Sequence, residues 1–257
     1  MADTNYAEFN NPRLVAIYNT VCPLDGYEKL YFKIAKNLSA KTVIDIGCGT
    51  GLLTLELAKQ GYQMIGAEPS RLMLDVARKS PFGDKVKWID GNALSLEEFN
   101  ADLAIMTGHV AQFHLEDEVW QKALKSIHKA LKPGGHLAFE SRNPAVQPWN
   151  NKDQAKNVDW YVPGFRKIVH AHEAGDIEVW LEVKEIKGNK VTTDVHYLFT
   201  KTGEELISTN TLRFRSREEI EQSLKDAGFS VDKVYGNWDG NIANEKSPEF
   251  IFVAKRI

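Results

Sequence analysis

Val43-Ile44-Asp45-Ile46-Gly47-Cys48-Gly49-Thr50-Gly51 is a short apolar run broken by one acid that opens into three glycines at alternate positions. Four apolar or β-branched residues with one acid, bounded by glycine, read as a buried parallel strand rather than a helix. Glycines lack Cβ, so they accept φ > 0 and let a nucleotide-like ligand approach the main chain. A helix starting near Leu52 would aim its unpaired N–H groups at the same place.

Outward from this turn, Thr42 to Asn143 alternates strand and helix, with strands expected near 42–46, 63–67, 86–90, 102–106 and 136–141. Such alternation implies a doubly wound, mostly parallel α/β sheet covered on both faces. The clearest helix spans 117–131, with Val119, Trp120, Ala123, Leu124, Ile127 and Leu131 as its apolar stripe, ended by Lys132-Pro133-Gly134-Gly135. Before the first strand, Asn11-Pro12 reads as a cap and first-turn proline, and Asp25 with Glu28 has capping-box spacing for a second helix. Residues 150–215 change texture to β-rich segments at 177–186, 191–200 and 206–214, an antiparallel insertion. Ser216 and Glu219 then form a capping box for a helix stopped by Gly228, and strands follow near 229–235 and 249–254. The division expected is an N-terminal helical lid over 1–41, a ligand-binding core over 42–149 and 216–257, and a substrate cap over 150–215.

A chain of 257 residues with 43% hydrophobic and 26% charged residues buries a sizeable core. The net charge of −3 gives no broad attraction for phosphate backbones, so a nucleic-acid partner is not expected. Two cysteines, Cys22 and Cys48, support neither a disulfide framework nor a zinc site. With no targeting pattern and no membrane-spanning run, a cytoplasmic setting is expected. His170-x-His172 would put two imidazoles on one strand face but lacks a third ligand, so no metal is expected.

The glycine spacing separates two cofactor classes. A nicotinamide fingerprint starting at Gly47 requires its third glycine at position 52, where the chain has Leu52. Glu68 closes the second strand, where a carboxylate accepts both hydroxyls of a ribose, and Asp90-Gly91-Asn92-Ala93 closes the third, where acid and amides read an adenine edge. In the order and placement of Val43–Gly51, Glu68-Pro69-Ser70 with Met73-Leu74, Trp88–Ala93, Ala101–Gly108 and Leu131–Gly135, the chain resembles a class I S-adenosylmethionine-dependent methyltransferase of the small-molecule type.

That resemblance implies a seven-stranded Rossmann-like sheet whose last hairpin adds one antiparallel strand. It implies S-adenosyl-L-methionine as cofactor, S-adenosyl-L-homocysteine as product, and transfer to a small-molecule N or O nucleophile. It places Asp45, Gly47, Cys48, Gly49 and Gly51 near the methionine part, Glu68, Pro69 and Ser70 at the ribose, and Met73 by the adenine. Asp90, Gly91, Asn92 and Ala93 frame the base, while Thr107, Gly108 and His109 line the cofactor. Family members use N-terminal helices as a lid, which makes Tyr6, Tyr18 and Tyr31 candidates to close the site, Tyr18 foremost. His109, just past the fourth strand, is the candidate catalytic base. Arg142 and Asn143, after the fifth strand beside Glu140, and Trp149 are candidates for binding substrate, with Trp160, Tyr161 and Trp180 as further apolar wall; structural bracing is the other reading of each. The alternatives are an NAD-dependent oxidoreductase and a non-catalytic S-adenosylmethionine-binding protein.

Overall fold

The computed structural model describes residues 5–150 and 166–257. Strands β1 (Thr42–Ile46), β2 (Gln63–Glu68), β3 (Lys87–Asp90), β4 (Ala101–Met106), β5 (Leu131–Arg142), β10 (Phe229–Tyr235) and β11 (Glu249–Arg256) form one seven-stranded sheet ordered β10-β11-β5-β4-β1-β2-β3. Every neighbouring pair is parallel except those made by β11, which runs antiparallel to both β5 and β10. The order reverses between β1 and β4, so crossovers leave in opposite directions there and open a crevice at the strand ends.

Alternation along β1 assigns its side chains to two layers. Ile44 and Ile46 pack with Phe139, Phe252 and helices α6 (Asp117–Ala130) and α7 (Arg217–Asp226), whereas Val43 packs with Leu103, Ile105 and helices α3 (Glu28–Asn37) and α4 (Leu52–Lys59). On α6 the buried stripe is Trp120, Ala123, Leu124, Ile127 and Ala130. Val119, expected in that stripe, is instead 41% exposed, because it lies about 100° around the helix from Trp120. Asn11 caps α2 (Pro12–Val21) as expected, accepting from the Arg13 amide at 2.9 Å. The Asp25–Glu28 box does not form. The Glu28 carboxylate takes the Gly26 N–H at 2.8 Å, and the helix begins at Glu28 itself.

The insertion is a four-stranded antiparallel sheet, β6 (Arg166–Ala171), β7 (Gly175–Lys187), β8 (Lys190–Phe199) and β9 (Glu204–Arg213). Its first strand falls outside the three segments the sequence marked. Its inner face, with Ile177, Val179, Leu181, Val195 and Phe199, packs on Leu14, Ile17 and Val21 of α2. Trp180 therefore points to the opposite face, where its ring stacks on His196 at 4.6 Å and lies under the Arg166 guanidinium at 4.1 Å. It is not part of a wall facing the core. His170 pairs with Asp176 at 2.7 Å and His172 sits in the following turn, so the two imidazoles do not share a strand face. Among the described residues no cluster holds three metal-ligating side chains, and no helix is long and apolar enough to cross a membrane.

Candidate active site

The glycine turn is tied to β2: Gly47 and Cys48 both donate to the Ala67 carbonyl, at 2.7 and 3.2 Å. All three glycines have positive φ, but only one faces open space. A Cβ on Gly47 would lie 2.5 Å from Val110, and one on Gly51 would lie 2.9 Å from Trp88, while a Cβ on Gly49 would meet nothing within 4 Å. Gly47 and Gly51 are thus required by close packing, and Gly49 borders the crevice.

Three carboxylates stand around that turn. Asp45, 1% exposed, accepts from the Thr54 hydroxyl at 2.6 Å through Oδ2, whereas its buried Oδ1 has no hydrogen-bond partner among the described residues. Burial pushes this carboxyl up to about 7, against the Thr54 bond that favours its charge. Glu68 accepts the amides of Gly49 at 3.0 Å and Ser70 at 2.8 Å, and burial raises it despite both bonds. Glu140, 1% exposed on β5, accepts the Tyr31 hydroxyl and the His109 amide, and burial raises it too. An orphan buried carboxylate oxygen, an open glycine and a ribose-type acid fit the positively charged, ribose-bearing cofactor that the sequence implies.

At β3, Asp90 forms an exposed ion pair with Arg71 at 2.9 Å, Asn92 caps a short turn through the Leu94 amide, Gly91 donates to the Glu68 carbonyl, and Ala93 is buried. Met73 is fully buried on α5 (Arg71–Lys79) behind the Ser70 cap. After β4, Thr107 is nearly buried, and Gly108 and His109 both adopt positive φ. The turn thereby carries the His109 ring onto Glu249 of β11, with Nε2 3.1 Å from each carboxylate oxygen.

The N-terminal segment closes on the same edge. The Thr50 hydroxyl bonds Asn19 of α2, and the Ser70 hydroxyl donates to the Phe9 carbonyl of α1 (Ala7–Asn10) at 2.6 Å. Tyr18 lies beside the Phe9 ring, and burial, with Glu8 and Glu68 nearby, raises its phenol. Tyr6 contacts Phe113, while Tyr31 is wholly buried against Glu140 and Trp238. The structure thus brings Tyr18, Asp45, Gly49, Glu68, Ser70 and His109 to one crevice edge.

The expected substrate residues have structural partners. Asn143 donates to the carbonyls of Glu245 at 3.0 Å and Ser247 at 2.9 Å and accepts the Ala145 amide, which commits its whole side chain to bracing the loop before β11. Arg142 meets Gln112 at 3.3 Å. Trp149 packs edge-on against Phe214 at 4.6 Å, and Trp160 and Tyr161 lie outside the described residues. The sequence reading missed Glu249, although an acid opening the apolar run Phe250-Ile251-Phe252-Val253 is the same signal that marked Asp45 and Glu68.

Residues 43–135 match the family described as a methyltransferase domain. The chain carries an S-adenosylmethionine-dependent methyltransferase domain. This methyltransferase is 26% identical over 223 residues to the cypemycin N-terminal methyltransferase of a Streptomyces species, covering 85% of this chain and 84% of that one. Other curated methyltransferases are 31% identical over 115 and 118 residues, and this chain spans about half their length. In fold it matches the CcbJ methyltransferase from Streptomyces caelestis, with a TM-score of 0.76, 19% identity and 99% of each chain covered. It also matches S-adenosylmethionine-bound CalS10, an amino pentose methyltransferase from Micromonospora echinaspora, with a TM-score of 0.67, 19% identity and 94% and 95% coverage. The nicotinamide alternative is not favoured, in line with Leu52 at the place of the third glycine.

Proposed function

We propose that the methyl acceptor is an amine nitrogen of a small molecule, which enters as its ammonium form and gives up a proton to His109. The carrying observation is the set of buried carboxylates at the strand ends, Asp45, Glu68, Glu140 and Glu249, of which Glu140 and Glu249 hold His109. Such a set attracts cations and repels carboxylate or phosphate acceptors. S-adenosylmethionine, when bound, supplies a methyl group already activated as a sulfonium. The protein's work is then to hold an uncharged nucleophile in line and to exclude water. An ammonium has no lone pair, so a base within reach of it is required. The names of two similar proteins, the cypemycin N-terminal methyltransferase and the amino pentose methyltransferase, are in keeping with the same class.

In this reading the helices of 1–41 and the insertion of 150–215 form the cap over the acceptor, since α2 and the insertion sheet share one apolar core. Tyr18, Asp45, Gly49, Glu68 and Ser70 hold the cofactor. Two cysteines without a disulfide, Cys22 and Cys48, fit a cytoplasmic setting. The test is transfer of labelled methyl to a panel of primary amines, phenols and carboxylic acids. Amine methylation that fades in His109→Gln is expected; transfer to phenols or carboxylates but to no amine overturns the reading.

A further inference from the structure

His109 is held by two carboxylates from two different strands. Its backbone N–H donates to Glu140 Oε1 at 2.6 Å, and its ring Nε2 stands 3.1 Å from both oxygens of Glu249. The residue is not glycine yet has φ 60°, a conformation that a side chain rarely takes and that these contacts hold in place. Both partners are buried, Glu140 at 1% and Glu249 at 7% exposure. Arg142 faces Glu249 across the β5–β11 register, and Glu140 lies two residues away on the same strand. A carboxylate only accepts hydrogen bonds, so a neutral His109 ring beside Glu249 carries its proton on Nε2. The lone pair then lies on Nδ1, which has no hydrogen-bond partner among the described residues.

We propose that Glu249 is a positioning residue for the methyl-transfer reaction: it fixes the Nε2–H tautomer of His109 and so presents Nδ1 as the proton acceptor. This rests on the reading of His109 as the base. The step balances without a co-reactant: the ammonium N–H bond breaks, an Nδ1–H bond forms, and the freed nitrogen lone pair becomes the nucleophile. The imidazolium so formed is paired with the Glu249 carboxylate and later returns its proton to water. It is the division of labour that a carboxylate and a histidine share in hydrolytic triads, where loss of the carboxylate leaves the geometry but supplies the wrong tautomer.

The decisive measurement is the tautomer of His109 in the full chain with S-adenosylhomocysteine added, read from long-range 1H–15N spectra and assigned by the signal that disappears in His109→Gln. The wild-type protein is expected to show Nε2–H. In Glu249→Gln the amide can donate to Nε2, so the ring moves toward Nδ1–H, whereas Glu249→Asp keeps Nε2–H. With whichever acceptor of the panel is methylated, Glu249→Gln lowers kcat at least about tenfold while S-adenosylhomocysteine affinity stays within about twofold. An Nδ1–H tautomer in the wild type, or an unchanged tautomer in Glu249→Gln, overturns the proposal. Should Glu249→Gln not fold, the wild-type tautomer alone decides. The spectra need no acceptor, so they stand even if amines prove inactive. His109→Gln at wild-type rate removes the base reading and this proposal with it; a slow His109→Gln beside a fast Glu249→Gln removes this proposal alone.

Discussion

Glu8 offers a measurement whose sign and size both follow from its surroundings. It lies on α1, 8% exposed, with its carboxylate accepting from the Tyr197 hydroxyl at 3.0 Å and the Asn210 amide at 2.9 Å. Burial outweighs those two bonds and raises the carboxyl from 4.5 to about 7. Between those values the folded chain keeps a proton that the unfolded chain has lost, so the neutral carboxyl's stabilising share is full below 4.5 and is lost as pH rises to about 7. The difference amounts to about 3 kcal/mol at pH 8 and under about 1 kcal/mol at pH 5. It is an upper bound, because the ionised side chain can escape by undocking α1.

Glu8→Gln keeps the shape and the acceptor for Asn210 but has no charge to bury. At 2–4 °C per kcal/mol for a chain of this size, its melting temperature should exceed that of the wild type by up to about 6–12 °C at pH 8, with the gap shrinking toward pH 5. A scan of melting temperature against pH for both proteins measures this. A difference that is independent of pH, or a Glu8→Gln protein less stable than wild type at pH 8, refutes the reasoning. There is a functional consequence, since Phe9, next to Glu8, accepts from Ser70 at the cofactor corner. The ratio of wild-type to Glu8→Gln affinity for S-adenosylhomocysteine should therefore fall as pH rises through about 7.

Three further outcomes are expected. Gly49→Ala forces a side chain into φ +57° with nothing within 4 Å of its Cβ, so stability falls only by about 1–2 kcal/mol while calorimetric affinity for S-adenosylhomocysteine falls at least about tenfold. Binding of the cationic cofactor favours the ionised form of Asp45, which stands at about 7, so calorimetry in buffers of different ionisation enthalpy should show release of about one proton at pH 6, less at pH 8, and none in Asp45→Asn. Ser216→Ala removes the α7 capping box, in which the Glu219 amide donates to Ser216 Oγ at 3.2 Å; melting temperature should drop by about 2–4 °C with methyl transfer unchanged.

Strand positions and the strand-end turns of the candidate site were legible because they rest on short-range signals. The run from Val43 to Gly51 carries its own strand, turn and helix start, and Glu68 ends a strand whose pattern is local. The three glycines serve different ends: Gly47 and Gly51 make room for Val110 and Trp88, residues remote in sequence, and only Gly49 opens to the crevice. The seat of α1 was illegible because its partners are far along the chain. Glu8 meets Tyr197 and Asn210, and Asn5 meets Thr209, across about two hundred residues that no periodicity connects. Leu14, Ile17 and Val21 lie at helical spacing on α2, and nothing local to them says that the insertion sheet covers them.

Glu249 marks a reading that the sequence permitted. In a parallel strand the crevice edge is its C-terminal end, which is why the acids at the ends of β1, β2 and β3 mark the expected cofactor site. A strand inserted antiparallel into the same sheet presents its first residues to that edge instead. The final hairpin was expected to contribute one such strand, and β11 pairs antiparallel with β5 in a register that sets Glu249 beside Arg142. An acid at the start of Glu249-Phe250-Ile251-Phe252-Val253 is therefore equivalent to an acid at the end of Val43-Ile44-Asp45. Reversal of direction maps the beginning of one strand onto the ends of its neighbours, and the partner of His109 follows from topology once that reversal is applied.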